Sequence, residues 1–462
     1  MVSLSNILNH GLLLISPSIF VDVATPQQAS IEQYNIINFL GGSAPYKQRS
    51  GYGISTDLPA NCSYEQIQMI SRHSERMPST GDGQFFNQVL SNFNSYKESH
   101  VFKGDLSFLN NYEYFVTNPE YYEKETNLSN SDSPYTGTTN SQRHGSFFRQ
   151  KYGSLYNPNE KLPVFTSNSG RCYQSSNYFA RGFLGDLYSD DTVEYVIIDE
   201  DSKMGANSLT PRYACKNINS GAQSNKSDQF DKSYLDDILN RWLVDNPGLN
   251  ITTSQISGLF LWCAFEINVR GYSPFCNLFT LDEFIRSGYQ NDVGNYYSIG
   301  EGNNMSKVVG SPMVEASLKL LQEDNDNKIW LMFTHDTDME LYLTSYKLIV
   351  PENDLSVDQI SFPNPYNGAE MFPQSGRTYL EKFKNDNNES FVRFIMNDSV
   401  FPYPNCQNGP GFSCPLDKFI EIVNQRLEGV DYSSQCDASG PPELTFFWDY
   451  NTTSYDAPLI NQ

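Results

Sequence analysis

The run Gln66-Ile67-Gln68-Met69-Ile70-Ser71, followed at once by Arg72-His73-Ser74-Glu75-Arg76-Met77-Pro78, decides how this chain is read. Its first half has the length and apolar content of a buried strand, and its second half turns abruptly to charge. In open sheets with helices on both faces, ligands bind beyond the carboxyl ends of the strands, so residues placed there build sites. Two guanidiniums four positions apart around one imidazole form a set of donors for phosphate oxygens and leave the imidazole to attack phosphorus. A lone Arg-His pair is more often a surface feature. The preceding strand and the second arginine weigh against that here, in a chain with only five histidines.

Two more apolar runs end in the same way. Val164 to Ser167 (VFTS) leads into Ser167-Asn168-Ser169-Gly170-Arg171, which opens a helix running through Phe179 and Phe183. An arginine in a first helical turn sits where free N–H groups and the helix dipole already favour anions. Ile329 to Thr334 (IWLMFT) leads into His335-Asp336-Thr337-Asp338. A polar pair after so apolar a strand is costly unless hydrogen-bonded or used, and an alkoxide leaving group needs an acid such as Asp336 opposite the nucleophile. The simpler alternative is a helix cap at Thr334 or Asp336. Val193 to Ile198 (VEYVII) reads as a fourth strand. The letters Arg143-His144-Gly145 repeat the first motif inside a helical run, Ser141 to Tyr152, and are assigned to helix surface or packing.

From Asn207 to Gln322 longer helical segments take over, including Ser233 to Leu243 and Ile256 to Val269, which reads as a mostly helical insertion. Tyr46 to Asn61 and Thr80 to Ser133 are rich in turn formers and aromatics and are expected to cover the sheet. The domain boundaries expected are a leader over 1–25, an α/β domain formed by 35–200 and 326–462, and a helical inserted domain over 201–325.

With 462 residues, 39% hydrophobic and 14% aromatic, the chain is globular, and 54 acidic against 31 basic side chains give a net charge of -23. That field repels nucleic acid and anionic membranes, so neither is expected as a partner, and an anionic substrate needs a local island of arginine. The apolar stretch Ile7 to Phe20 is interrupted by His10, Gly11 and Pro17, too short to span a bilayer, and fits a cleaved leader. Sequons at Asn61, Asn127, Asn225, Asn250, Asn304, Asn388, Asn397 and Asn451 point to a glycosylating, secretory route ending outside the cell, at the wall or in the periplasmic space. The eight cysteines show no zinc-ligand spacing and read as disulfides, with Cys263 to Cys276 and Cys406 to Cys414 as local staples.

Together, R-H-x-x-R-x-P from Arg72, S-x-x-x-R-C-x-x-S-x-x-x-F-x-x-G-F from Ser167 and T-H-D-T-D from Thr334 resemble the histidine acid phosphatases, in their secreted yeast acid phosphatase and phytase branch. The likeness extends from Phe39-Leu40-Gly41-Gly42 to Leu444-Thr445-Phe446-Phe447-Trp448-Asp449. It implies a phosphoglycerate-mutase-like fold, α/β with a helix-flanked mixed sheet plus a smaller, mostly helical domain. It implies His73 as nucleophile, Asp336 as proton donor, and Arg72, Arg76, Arg171 and His335 as phosphate ligands, with no cofactor and no metal. The expected reaction is hydrolysis of small-molecule phosphate monoesters, phytate included, through a phosphohistidine. A broad-specificity phosphatase with little phytase activity is the alternative; a phosphomutase, or a phosphate-binding glycoprotein without turnover, ranks lower. The resemblance also implies bridges Cys215–Cys436, Cys263–Cys276 and Cys406–Cys414, and leaves Cys62 and Cys172 either as two thiols or as a non-standard bridge. The chain departs from the pattern at Ser74, where the family has Gly, at Met77, where it has Tyr, and at Ser79, where it has Thr. Ser74 raises the question whether a side chain crowds the phosphate.

Overall fold

In a computed structural model, residues 34–361 and 363–461 are described, and the leader expected over 1–25 lies outside them. Eight strands form one mixed sheet: β1 (Cys62–Arg72), β2 (Leu162–Ser167), β3 (Val193–Ile198), β4 (Ile329–Thr334), β5 (Arg377–Asn385), β6 (Ser390–Met396), β7 (Ser399–Phe401) and β8 (Cys414–Pro415). The order is β3-β2-β4-β1-β5-β6-β7, with β8 also on β6. Strands β3, β2, β4 and β1 are mutually parallel; β5 turns antiparallel on β1 and the rest follow as antiparallel pairs.

The longer helices are α1 (Thr80–Lys97), α2 (Gly137–Tyr152), α3 (Gly170–Leu184), α4 (Tyr234–Asp245), α5 (Thr253–Arg270), α6 (Leu281–Ser298), α7 (Ser306–Gln322) and α8 (Asp336–Ser345). Strand alternation decides which helices lie where. Ile67, Met69, Ile329, Leu331 and Phe333 face one side, with Phe148 and Tyr152 of α2 and Phe179 and Phe183 of α3. Ile70, Trp330 and Met332 face the other, with Val293 of α6, Met313 of α7 and Met339 of α8. Both faces are thus buried, which is why β2 and β4 are apolar at nearly every position. Helices α2 and α3 touch backbone to backbone: a Cβ at Gly145 would lie 2.0 Å from the Phe179 carbonyl oxygen.

Residues of Thr80–Ser133 do not extend the sheet, but their first part is helix α1, started by a capping box between Ser79 and Asp82. It packs with α4 and α5 into a separate aromatic core centred on Phe86, Trp262 and Phe275. No strand after Thr334 is anticipated from sequence, yet β5 and β6 close the sheet. Their run carries Glu381 and Arg393, which are both buried and paired at 2.7 Å, with the Tyr152 hydroxyl donating to Glu381 at 2.6 Å.

Three disulfides are present, Cys215–Cys436, Cys263–Cys276 and Cys406–Cys414. Cys62 and Cys172 are thiols. A bridge between them is ruled out by position, since Cys62 begins β1 opposite Asn385 while Cys172 sits in the first turn of α3, beyond the other end of the sheet. Among the described residues no helix is long and apolar enough to cross a membrane. The Cys215–Cys436 bridge closes a separation of 221 residues and Cys406–Cys414 one of 8. Chain-entropy arguments then predict that replacing Cys215 and Cys436 with Ser costs about 5 kcal/mol, against roughly 2.5 for the Cys406–Cys414 pair, measurable by denaturant unfolding.

Candidate active site

The parallel pairing of β1 with β4 brings two distant histidines together. Arg72 is in register with Thr334, and the His73 N–H donates to the Thr334 carbonyl at 3.1 Å, so both chains leave the sheet side by side. The imidazoles of His73 and His335 lie 5.7 Å apart, edge to face. On the far side of β4, β2 runs into the loop that starts α3, whose second residue is Arg171. Arg171 Nη2 reaches 3.4 Å from His335 Nδ1. The cap of α8 is His335, and Asp336 is its first helical residue, so neither Thr334 nor Asp336 is the cap.

His73 is buried, and its Nδ1 lies 2.9 Å from the Ser74 carbonyl oxygen. A carbonyl only accepts, so Nδ1 carries the proton and Nε2 keeps a free lone pair. Burial lowers the proton affinity of His73 well below the ordinary histidine value, and the charges of Arg171, Arg72 and Arg76 lower it further. The arginines feel the same crowding: burial, Arg171 and Arg72 bring Arg76 down to about 10.

Each guanidinium is aimed by specific partners. Arg72 Nη2 pairs with Asp336 at 2.8 Å, and its Nη1 donates to the carbonyls of Phe372, at 2.8 Å, and Gly42. Arg76 Nη1 donates to the Met77 carbonyl, and its plane lies over the Phe265 ring at 5.1 Å. Arg171 Nη1 pairs with Glu123 at 2.9 Å. After these contacts the Nε–H groups of Arg72, Arg76 and Arg171 are all buried without a hydrogen-bond partner. Buried donors are nearly always satisfied, so three orphan N–H groups on arginines whose charges all act on His73 are donors that an oxyanion beside the imidazole can use.

Asp336 is half-buried at the mouth. Burial raises its pKa, but Arg72, then His335 and the Thr337 N–H, overcome this and hold the carboxyl below its usual value. His335 Nε2 lies 2.6 Å from Glu200, which fixes the proton on that nitrogen and turns Nδ1 toward Arg171. Asp338 faces away, paired with Arg212 at 2.5 Å.

The question raised by Ser74 has a geometric answer. Its hydroxyl hydrogen-bonds Ser141 of α2, and its N–H donates to Glu125 at 3.0 Å and to Ser175 at 2.8 Å, so the side chain points out of the cage. Arg143-His144-Gly145 lies elsewhere: His144 is buried with Nε2 2.7 Å from the Tyr379 hydroxyl. Among the described residues no group of three or more His, Cys, Asp or Glu is placed to hold a metal ion. Of the sequons, Asn397 is buried and its Nδ2 donates to Glu370 and Met371 carbonyls, which removes it as a glycan site; Asn127 is half-buried and the others are exposed.

Sequence reasoning missed Glu123, Glu125 and Glu200. Glu200 follows β3 by two residues, so the same strand-end rule that found the histidines points to it. Glu123 and Glu125 carry no such signal.

Burial pushes Glu125 up to about 8 and Asp338 to about 7, and away from the site Glu340 and Asp292 to about 8 and Glu266 to about 7. A raised carboxyl contributes stability that is complete below its unfolded value and is lost as pH rises through the folded one. The lowered His73, His144 and His335 act oppositely, but only below the ordinary histidine value of about 6.5. The melting temperature is therefore expected to fall between about pH 6.5 and 8, where the carboxyls act unopposed, and Glu125→Gln is expected to flatten that slope in a pH series of thermal melts.

The model of the histidine phosphatase superfamily (branch 2) matches residues 64–397. The chain is 53% identical to a phytase of Candida albicans, over 99% of this chain and 100% of the relative. It is 40% identical to a repressible acid phosphatase of Saccharomyces cerevisiae, over 93% of each. The crystal structure of the phytase from D. castellii superposes with a TM-score of 0.91 at 51% identity, covering 97% of this chain and 98% of that one.

Proposed function

Because the chain belongs to branch 2 of the histidine phosphatase superfamily, we propose that it hydrolyses phosphate monoesters, phytate among them, through a phosphohistidine on His73. The observation that carries this reading is the set of three buried, partnerless Nε–H donors around an imidazole whose Nε2 lone pair is free. Phytate is included because relatives at 53% and 51% identity are named phytases.

The phosphoryl oxygens take the donors of Arg72, Arg76 and Arg171, and His335 donates to one of them when its imidazole carries a second proton, on Nδ1. His73 Nε2 attacks phosphorus as the P–O bond to the alcohol breaks, and Asp336 gives its proton to the leaving oxygen. Water then attacks phosphorus, Asp336 takes the water's proton, the P–N bond breaks and phosphate leaves. Asp336 is held ionised by Arg72 in the empty site. A bound phosphate draws Arg72 to itself and places negative charge beside the carboxyl, which restores its affinity for a proton. In acid the substrate is a monoanion and brings that proton with it, since the second phosphate ionisation lies near about 6. The lowered proton affinity of His73 keeps the nucleophile neutral in the same range.

Three disulfides and exposed sequons support export through an oxidising, glycosylating compartment. A broad-specificity acid phosphatase is the second reading, favoured by the 40% identical relative of that name.

Phosphate release from p-nitrophenyl phosphate and from phytate at about pH 4 to 5, without added metal, tests the proposal. Wild-type turnover that disappears in His73→Ala is expected; a folded, inert wild type would overturn it, as would an optimum above neutrality. Asp336→Asn is expected to slow alkyl phosphates by roughly 10² to 10⁴ and p-nitrophenyl phosphate much less, because a phenolate of low basicity leaves without protonation.

A further inference from the structure

Behind the nucleophile loop is a carboxyl that the chemistry above does not use. Residues 124–126 run antiparallel to the loop. The Met77 N–H donates to the Lys124 carbonyl at 2.8 Å, the Thr126 N–H and hydroxyl both donate to the Glu75 carbonyl, at 2.8 and 3.0 Å, and Arg76 and Glu125 form an antiparallel bridge. That pairing carries the Glu125 side chain, fully buried, to Ser74. Its Oε1 accepts from the Ser74 N–H at 3.0 Å and from the Ser175 hydroxyl of α3. Its Oε2 is buried with no hydrogen-bond partner. Such an oxygen costs stability that an apolar side chain of the same shape avoids, so what Glu125 contributes here is the acceptor it gives to Ser74.

Ser74 is the residue whose carbonyl meets His73 Nδ1, at 2.9 Å. Every other polar group around that carbonyl is tied down. The Ser74 N–H is held by Glu125 and by Ser175, whose oxygen is itself held by Glu125, and the Ser74 hydroxyl is held by Ser141. On the other side of the ring the His73 N–H donates to Thr334 at 3.1 Å, and its carbonyl accepts from the Ser375 N–H at 3.0 Å. With the backbone fixed before and after Ser74, its carbonyl has one direction left, toward the imidazole. Burial pushes Glu125 up to about 8, with Glu75 raising it further and Arg171 opposing, so in acid it is neutral and offers its acceptor without cancelling the charge of the cage.

We propose that Glu125 is a positioning residue for the nucleophile: by holding Ser74 it keeps the carbonyl that takes the His73 Nδ1 proton in place, and so keeps the Nε2 lone pair free for phosphorus. The proton of a neutral imidazole sits on whichever nitrogen has the better acceptor, so an unfixed Ser74 carbonyl lets it move to Nε2, where it blocks attack. Glu125 touches neither substrate nor ring and acts only through Ser74. Its role rests on the phosphohistidine reading and adds to it the group that sets the tautomer.

The test compares Glu125→Met, which has no acceptor, Glu125→Asp, which withdraws it by one methylene, and Glu125→Gln, which keeps a carbonyl. In Glu125→Met, kcat per folded molecule is expected to fall about tenfold to a hundredfold on both p-nitrophenyl phosphate and phytate, with KM moving much less because the arginines are untouched, while Glu125→Gln recovers most of the loss. Should Glu125→Met not fold, Glu125→Asp takes its place against Glu125→Gln. The second readout is the tautomer itself. Nitrogen-15 spectra of histidine-labelled protein at about pH 6.5, where the lowered His73 is neutral, separate a protonated from a bare ring nitrogen, and His73→Ala identifies its signals among five histidines. Wild type is expected to show Nδ1 protonated and Nε2 bare, and the folded Met or Asp variant to show Nε2 protonated in part of the molecules. A residue with a merely structural role lowers the melting temperature and moves neither readout. Wild-type kcat with an unchanged tautomer would overturn the proposal, and where the two readouts disagree the tautomer decides. Were the wild type inert on both substrates, the phosphohistidine reading would fall, and the tautomer comparison alone would then support or overturn the role of Glu125.

Discussion

Three guanidinium groups crowd around one neutral imidazole, and their mutual repulsion in a buried pocket is the constraint to which the rest of the structure answers. The cost appears directly in Arg76, whose proton affinity burial and its two neighbours depress. Carboxylates from widely separated parts of the chain, Asp336 on Arg72 and Glu123 on Arg171, keep the cage charged and oriented. Backbone carbonyls of Gly42, Phe372 and Met77 take three further donors. The buried Nε–H of each arginine stays without a partner. A site so built gains from an oxyanion what it lacks when empty, which is the physical content of preorganisation.

The same charge economy links the site to the medium. An exterior of -23 and several buried carboxyls with raised proton affinity both disfavour the native state as pH rises. Acid relieves both. In acid the lowered His73 still keeps its lone pair. Burial thus favours the native state and a neutral His73 over the same acidic range.

The sheet is the device that assembles the cage. Parallel β1, β4 and β2 lie side by side, and each delivers its charged residues from the same end. The antiparallel strands β5 and β6 contribute the ladder that flanks β1, and the loop before β5 supplies Phe372 and Gln374 against Arg72 and Arg76. A buried Glu381–Arg393 pair hides these strands from any pattern based on polarity. Likewise Arg143-His144-Gly145 imitates the nucleophile motif in letters, but its glycine serves the contact of α2 with α3 and its histidine a tyrosine hydroxyl.

From sequence alone the four parallel strands, the polar residues placed just after three of them and the acidic, cysteine-bridged character of the chain were legible, because each rests on local signals: apolar runs, charge placed just after them, and composition. Tertiary structure alone decided the rest. Ser74 leaves the cage unobstructed only because Ser141 of another helix draws its hydroxyl away. Glu123, Glu125 and Glu200 become part of the site, and Asn397 ceases to be a glycan acceptor. The physical reason is common to all of them. Burial, hydrogen-bond partnership and the direction of a side chain depend on which distant segments meet, and sequence spacing carries no record of that.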